Sequence, residues 1–259
     1  MIPFFYTNYK ISNNIELSVI DIEKIDKQFK SILDENFVSI CEGNSDSNLA
    51  LTKKYVNDLY INKNEQWKLG ATAEFFIHLY IKLLGFKQEC LFLNLEEKAS
   101  KKGFDGYYSH NGIEWIMESK SGLANKKNSH VSKVKEAIKD LENKVTGFHH
   151  PNKKLPNNPW HNAYNHANLY DVGTAKEIQK NIKQLSNDFT NGIYHSVDKF
   201  NTMPCGTIFL SGNWNPFNHK DIFTKIKEIS NKLKGNQVHV ICVTQKSVEI
   251  FHQYLKLEG

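Results

Sequence analysis

The segment GFDGYYSHNGIEWIMESKSG, residues 103 to 122, sets an aspartate in a glycine-flanked turn and a glutamate and a lysine two apart in an otherwise apolar run. Residues two apart in a β-strand stand about 7 Å apart on one face, so Glu118 and Lys120 project together. They share that face with Ile116, while Trp115, Met117 and Ser119 point to the other side. Asn111-Gly112 is a strong hairpin signal, and the strand folded back across it carries Asp105, within reach of the same rim if the register is slightly offset. Two carboxylates and a lysine make a poor core. They make a good seat for Mg²⁺, with Mn²⁺ as its expected substitute, because such an ion wants oxygen ligands at about 2 Å and commonly takes one or two carboxylates, water and substrate phosphate. A lysine beside the ion can orient an attacking water and stabilise charge developing on phosphorus, the tasks of phosphodiester hydrolysis.

The bare Glu-x-Lys pattern recurs at Glu96, Glu118 and Glu142, so spacing alone decides little. Only Glu118-Ser119-Lys120 lies in a strand that follows a GFDG turn and a hairpin. The competing reading is an exposed ion pair on a hairpin, worth at most about 1 kcal/mol. Glu74, in GATAEFFIHLY, bears on the choice. A glutamate early in a helix commonly serves the macrodipole. Its neighbours three and seven residues on are Ile77 and Ile81, however, so it sits on an apolar face and needs a partner. A metal site at the adjacent strand rim would supply one.

These residues need elements to hold them. Residues 1 to 64 read as a mainly helical N-terminal region, with Ile22, Ile25, Phe29 and Ile32 at helical spacing and a second helix near Leu51 to Tyr60. A helix around WKLGATAEFFIHLYIKLL is apolar on most of its circumference, closes at Gly85 and should be buried. Three strands follow: ECLFLN (89 to 94), GFDGYYSH (103 to 110) and EWIMESKS (114 to 121). A helix comes next, with Val131, Val134, Ile138, Leu141 and Val145 at three- and four-residue steps. Residues 146 to 170, with three prolines and many Asn, His and aromatic residues, read as a long irregular loop. Thr174 and Glu177 predict a capping box opening a helix through Ile178, Ile182 and Leu185. The rest alternates: strand TIFLSG (207 to 212), helix Ile222 to Leu233, strand VHVICVT (238 to 244) and a helix to Leu257. This order predicts one α/β domain over residues 65 to 259, a mixed sheet flanked by helices, behind a helical N-terminal extension.

At 259 residues the chain can bury a sizeable core without staples. Cys41, Cys90, Cys205 and Cys242 are isolated and read as buried free thiols, which fits a reducing compartment. MIPFFYTNYK lacks the order of a signal peptide, and FFIHLYIKLLGF is too short and polar to span a bilayer, so a cytoplasmic protein without a membrane partner is expected. The net charge of +5 is carried by lysine alone, since arginine is absent. The bidentate contact of Arg to guanine is therefore missing, while Lys remains able to hold phosphates as a point charge. Residues 98 to 154 carry twelve Lys against six Asp plus Glu, so the basic excess surrounds the motif. It is either a solvated lysine face or a surface for a polyanion.

His149, His150, His161 and His166 fit no metal-ligand spacing. Phe148, Trp160 and Tyr164, interleaved with Lys153 and Lys154, read either as stacking and phosphate contacts for DNA or as a structural loop. Nucleophilic catalysis finds no motif: GxSxG is absent, and Cys90 and Cys242 fall inside apolar strands.

Glu74 on a helix, Asp105 in GFDG and Glu118-Ser119-Lys120 ending a strand resemble the PD-(D/E)XK nuclease superfamily. Its core of helix, three-stranded meander, helix and further strand corresponds to residues 66 to about 145 plus a strand near 207 or 238. Phe104 stands where that family has a proline before the aspartate. The resemblance implies a restriction-endonuclease-like fold and a Mg²⁺-dependent DNA endonuclease. Asp105 and Glu118 would hold the metal with the Ser119 carbonyl, Lys120 would position the water and Glu74 would be an accessory acid. A narrower resemblance, carried by the helical N-terminus, GATAEFFIHLY, Lys98 before GFDG, a GESK-like ending and the extended α/β C-terminus, is to the nuclease subunit of Hachiman-type anti-phage systems, with Met117 in place of that family's glycine. It implies a helicase subunit as partner and a phosphate contact for Lys98. Two other classes remain: a non-catalytic nucleic-acid-binding subunit of the same fold, and a restriction or resolvase-type endonuclease. The absence of arginine and of a recognition domain weighs against the restriction enzyme.

Overall fold

A computed structural model describes residues 2–93, 103–149, 153–154 and 157–257; Lys98, His150 and the end of the expected strand at 89 to 94 lie outside the described residues. The chain opens with strands, which corrects the helical N-terminal extension. β1 (Phe5–Lys10) and β2 (Ile15–Ile22) pair antiparallel and belong to the main sheet. Ile22 ends β2, so of the apolar series at helical spacing only Phe29 and Ile32 lie in the helix that follows. That helix, α1 (Lys27–Glu42), is succeeded by α2 (Leu49–Ile61) and α3 (Glu65–Leu83). A side chain opens each by accepting backbone N–H groups: Asp26 from Phe29, Asn48 from Ala50 and Leu51, and Asn64 from Trp67.

β3 (Lys87–Gln88), β4 (Gly106–His110) and β5 (Ile113–Leu123) form an antiparallel meander. The β4–β5 turn is the expected Asn-Gly hairpin, with Asn111 at φ 49° and Gly112 at φ 76°. The strand expected at 89 to 94 is not formed over its described residues. The N–H groups of Phe92 and Leu93 donate instead to the carbonyls of Ile40 and Cys41, satisfying the end of α1.

The chain continues through α4 (His130–Thr146), a small hairpin of β6 (Phe148–His149) and β7 (Lys153–Lys154), α5 (Pro159–Ala167), α6 (Lys176–Thr190), β8 (Asn201–Phe209), α7 (His219–Glu228), β9 (Val238–Gln245) and α8 (Glu249–Lys256). α5 falls inside the stretch expected to be irregular. Pro159 occupies its first turn, and Asn158 caps it by accepting from Trp160 and His161. Trp160 is 1% exposed and packs against Phe104 and Phe200, so it belongs to the core and cannot stack on a nucleic-acid base. Thr174 does not cap α6. Ala175 takes that position, and the Thr174 hydroxyl donates to the buried Glu89 at 2.6 Å.

The main sheet has the order β1-β2-β9-β8-β5-β4-β3. Its four central strands, β2, β9, β8 and β5, run parallel, with antiparallel pairs at both edges. Helices cover both faces, which is why β9 reads as a near-continuous apolar run. On one face Val134 of α4 and Ile222 and Ile226 of α7 pack on Leu17, Val19, Val240 and Cys242. On the other, Phe29 of α1, Phe75 of α3 and Phe251 of α8 pack on Ile20, Met117, Met203 and Val243. α4 lies close over β8 at Gly206, where a Cβ would stand 3.0 Å from the His130 carbonyl oxygen. All four cysteines are buried free thiols. Among the described residues no helix is long and apolar enough to cross a membrane.

Candidate active site

β4 and β5 stop pairing at Gly106 and Met117, yet β5 runs on to Leu123 with β8 along its other edge. From Glu118 onward no strand among the described residues pairs with β5 on the β4 side. Asp105, one residue beyond the ladder, fills the notch: its Oδ2 accepts the Ser119 N–H at 2.9 Å. In a strand the N–H and C=O of one residue leave the chain on the same side, so the Ser119 carbonyl also opens toward Asp105. Alternation sends Ile116 into the core beneath α4 and Met117 into the core beneath α3. Glu118 and Lys120 consequently face α4, on the side that the two-residue period predicts.

Glu118 is 2% exposed. Its Oε1 accepts from Lys120 Nζ at 2.9 Å, and its Oε2 accepts from Lys144 Nζ. Lys120 Nζ also lies 2.6 Å from Asp140 Oδ2. Asp140 and Lys144 stand one turn apart on α4, so this helix delivers an acid and an ammonium to the rim together. The result is an alternating row, Asp140–Lys120–Glu118–Lys144. Sequence reasoning missed both α4 residues. The available signal was that Lys144 borders the stripe of Ile138, Leu141 and Val145 by which α4 buries itself.

Glu74 approaches from α3, on the opposite face of the sheet, with its side chain 13% exposed. Its Oε1 is 3.5 Å from His78 Nε2, and His78 Nδ1 shares a hydrogen bond with the buried Tyr108 hydroxyl. One neighbour for this carboxylate therefore comes from one turn along its own helix. Its charge still reaches Asp105. Burial first, then Glu118, push the Asp105 carboxyl up to about 7; Lys144 opposes, Glu74 adds, and Lys120 opposes. Burial also works against the charge on Lys120 and Lys144, but Glu118 and then Asp105 outweigh it and hold both ammoniums above the ordinary lysine value.

Asp105 is therefore a half-buried carboxyl at which desolvation and the neighbouring carboxylates outweigh the two ammoniums nearby. The donor set suits a small hard cation, since it offers two carboxylates and a main-chain carbonyl. Among the described residues no three His, Cys, Asp or Glu side chains are grouped to hold a metal ion. An ion here would rest on Asp105, Glu118, the Ser119 carbonyl and water, with Glu74 outside the ligand set. One feature works against it: both oxygens of Glu118 already accept from ammonium groups. A cleft bordered by Leu91, Phe104, Asn162 and His166 reaches Asp105 from the α5 side. His166 uses its Nδ1 to accept the Leu91 N–H at 3.2 Å, which ties it to the main chain.

No protein-family model matches the chain, and no curated protein matches it.

Proposed function

We propose that the chain is a Mg²⁺-dependent phosphodiester hydrolase acting on DNA, with a restriction-endonuclease-like core. One observation carries the reading: the half-buried Asp105 and the buried Glu118 meet where β5 runs on past β4, one joined to the Ser119 main chain and the other to Lys120. The succession of α3, the β3–β4–β5 meander, α4 and then β8 parallel to β5 supports the fold assignment. The basic excess of residues 98 to 154 supports a phosphate-bearing partner; exposed Lys126 and Lys127, just beyond the end of β5, are suited to backbone phosphates.

Asp105, Glu118 and the Ser119 carbonyl would hold Mg²⁺, or Mn²⁺ in its place. The ion supplies Lewis acidity and makes a water nucleophilic near neutral pH. Lys120 orients the attacking water and stabilises the charge that develops on the phosphoryl oxygens. Asp140 keeps the Lys120 ammonium at that position. Glu74 acts as an accessory acid on the far side of Asp105. On the family resemblance alone, the wider setting is anti-phage defence beside a helicase subunit.

Plasmid DNA incubated with Mg²⁺ and the protein, with and without a helicase encoded beside it, tests the reading. Wild type should cleave, and Glu118→Ala and Lys120→Ala should each lower the rate by about 100-fold or more. DNA left equally intact by all three proteins in every condition rejects the hydrolase. The ammonium held on each oxygen of Glu118 favours a second reading, a DNA-binding subunit without cleavage. Its signature is DNA retention that survives both substitutions while no condition yields cleavage.

A further inference from the structure

We infer that Lys144 is a built-in competitor of the divalent cation for Glu118, an internal counter-charge that holds the carboxylate until the metal displaces it. The inference rests on the hydrolase reading above. Each Glu118 oxygen already accepts one ammonium, and a divalent cation set against the same oxygens is repelled by both, so an inner-sphere contact at Glu118 is favoured when one of the two lysines leaves. Lys120 is tied twice, to Glu118 at 2.9 Å and to Asp140 at 2.6 Å. Lys144 has Glu118 as its one carboxylate partner among the described residues. Lys144 is therefore the ligand that gives way.

Charge points the same way. With Lys144 in place, Asp105, Glu118 and Asp140 face Lys120 and Lys144, one negative charge in excess; with Lys144 withdrawn they face Lys120 alone, and the excess becomes the two that a divalent cation offsets. The movement required is small. Leu141 and Val145 anchor α4 in the core on either side of Lys144, so the helix can stay while the four-carbon stem turns outward.

Electron paramagnetic resonance of free Mn²⁺, titrated with the protein, reads the competition directly and needs no catalysis. Lys144→Gln keeps a neutral donor for Glu118, Lys144→Met removes the donor, and Lys139→Met removes an equal charge from the exposed side of α4. Both Lys144 variants should bind Mn²⁺ about tenfold more tightly than wild type, within the usual size of coupling between ligands of one site, while Lys139→Met should stay within about twofold. Metal-free Lys144→Met should also melt at a lower temperature than wild type and recover more on adding Mn²⁺. Wild-type binding with equal or weaker binding in both Lys144 variants overturns the inference and leaves the metal site standing. Equal tightening in Lys139→Met also overturns it, because the effect is then one of overall charge. No Mn²⁺ binding by any of the proteins removes the inference together with the hydrolase reading.

Discussion

Among the described residues two glutamates are buried, Glu89 just past β3 and Glu118 in β5, and their surroundings differ in kind. Glu89 is 0% exposed and takes the Ser109 hydroxyl at 2.7 Å, the Thr174 hydroxyl at 2.6 Å and the Lys87 ammonium at 3.2 Å. Its donors come from β4, from the turn before α6 and from β3, so the carboxylate ties three segments together. Glu118 takes two ammoniums and no hydroxyl, with Asp105 close enough for the two acids to repel. Burial is common to both. Crowding by charges of both signs belongs to Glu118 alone of the two, and its charge helps push up the neighbouring Asp105 carboxyl, the kind of perturbation that gathers at sites that bind ions or perform chemistry.

The widest expected gap lies in cleavage. Glu118→Ala should cost about 100-fold to 1,000-fold in rate, the range seen when a charge-stabilising group is deleted, whereas Glu89→Ala should leave the folded enzyme within about twofold of wild type. Next in size is stability. Glu89→Ala leaves the Ser109 and Thr174 hydroxyls without their acceptor, so urea unfolding should show a loss of about 2–4 kcal/mol. A cleavage defect in Glu89→Ala as large as that of Glu118→Ala would break the contrast between the two acids.

The smallest effect should appear in the pH dependence of stability without metal. The Asp105 carboxyl is raised from 3.8 to about 7, so between those values the folded protein keeps a proton that the unfolded chain has released. Stability is therefore lost as pH rises through that window and levels off above it. Asp105→Asn retains an acceptor for the Ser119 N–H and has no charge to bury. It should gain on wild type by about 1–3 kcal/mol between pH 4 and pH 8, read as the difference in urea midpoints. The buried His130 and His239 slope the other way. Burial holds both down to about 4, so each contributes stability that is lost as pH falls from 6.5 toward that value. A parallel pH profile for wild type and Asp105→Asn would remove the repulsion on which the comparison rests.

The legible part of the site was local. The two-residue period sets Glu118 and Lys120 on one face, and Asn111-Gly112 turns the chain so that Asp105 arrives beside them. α/β alternation was likewise readable in the last third of the chain, although β8 begins at Asn201, six residues before the expected strand. What escaped was decided by distant partners. β2 finds its parallel neighbour in β9, near the other end of the chain, and Ile22 fits a helical period only by coincidence. Thr174 has the sequence of a cap, but the buried Glu89 takes its hydroxyl. His78, four residues on from Glu74, lies one helical turn away and adds a neighbour that the apolar spacing of Ile77 and Ile81 does not suggest. Asp140 and Lys144 resembled ordinary surface charges until α4 was laid across β5.

The most direct test of the central claim is an anomalous difference map from crystals of the protein grown with Mn²⁺. The account predicts one strong peak between the Asp105 and Glu118 carboxylates, beside the Ser119 carbonyl, with Lys144 turned away from Glu118. Density showing both lysines still on Glu118, with no peak at that rim under saturating Mn²⁺, would contradict it.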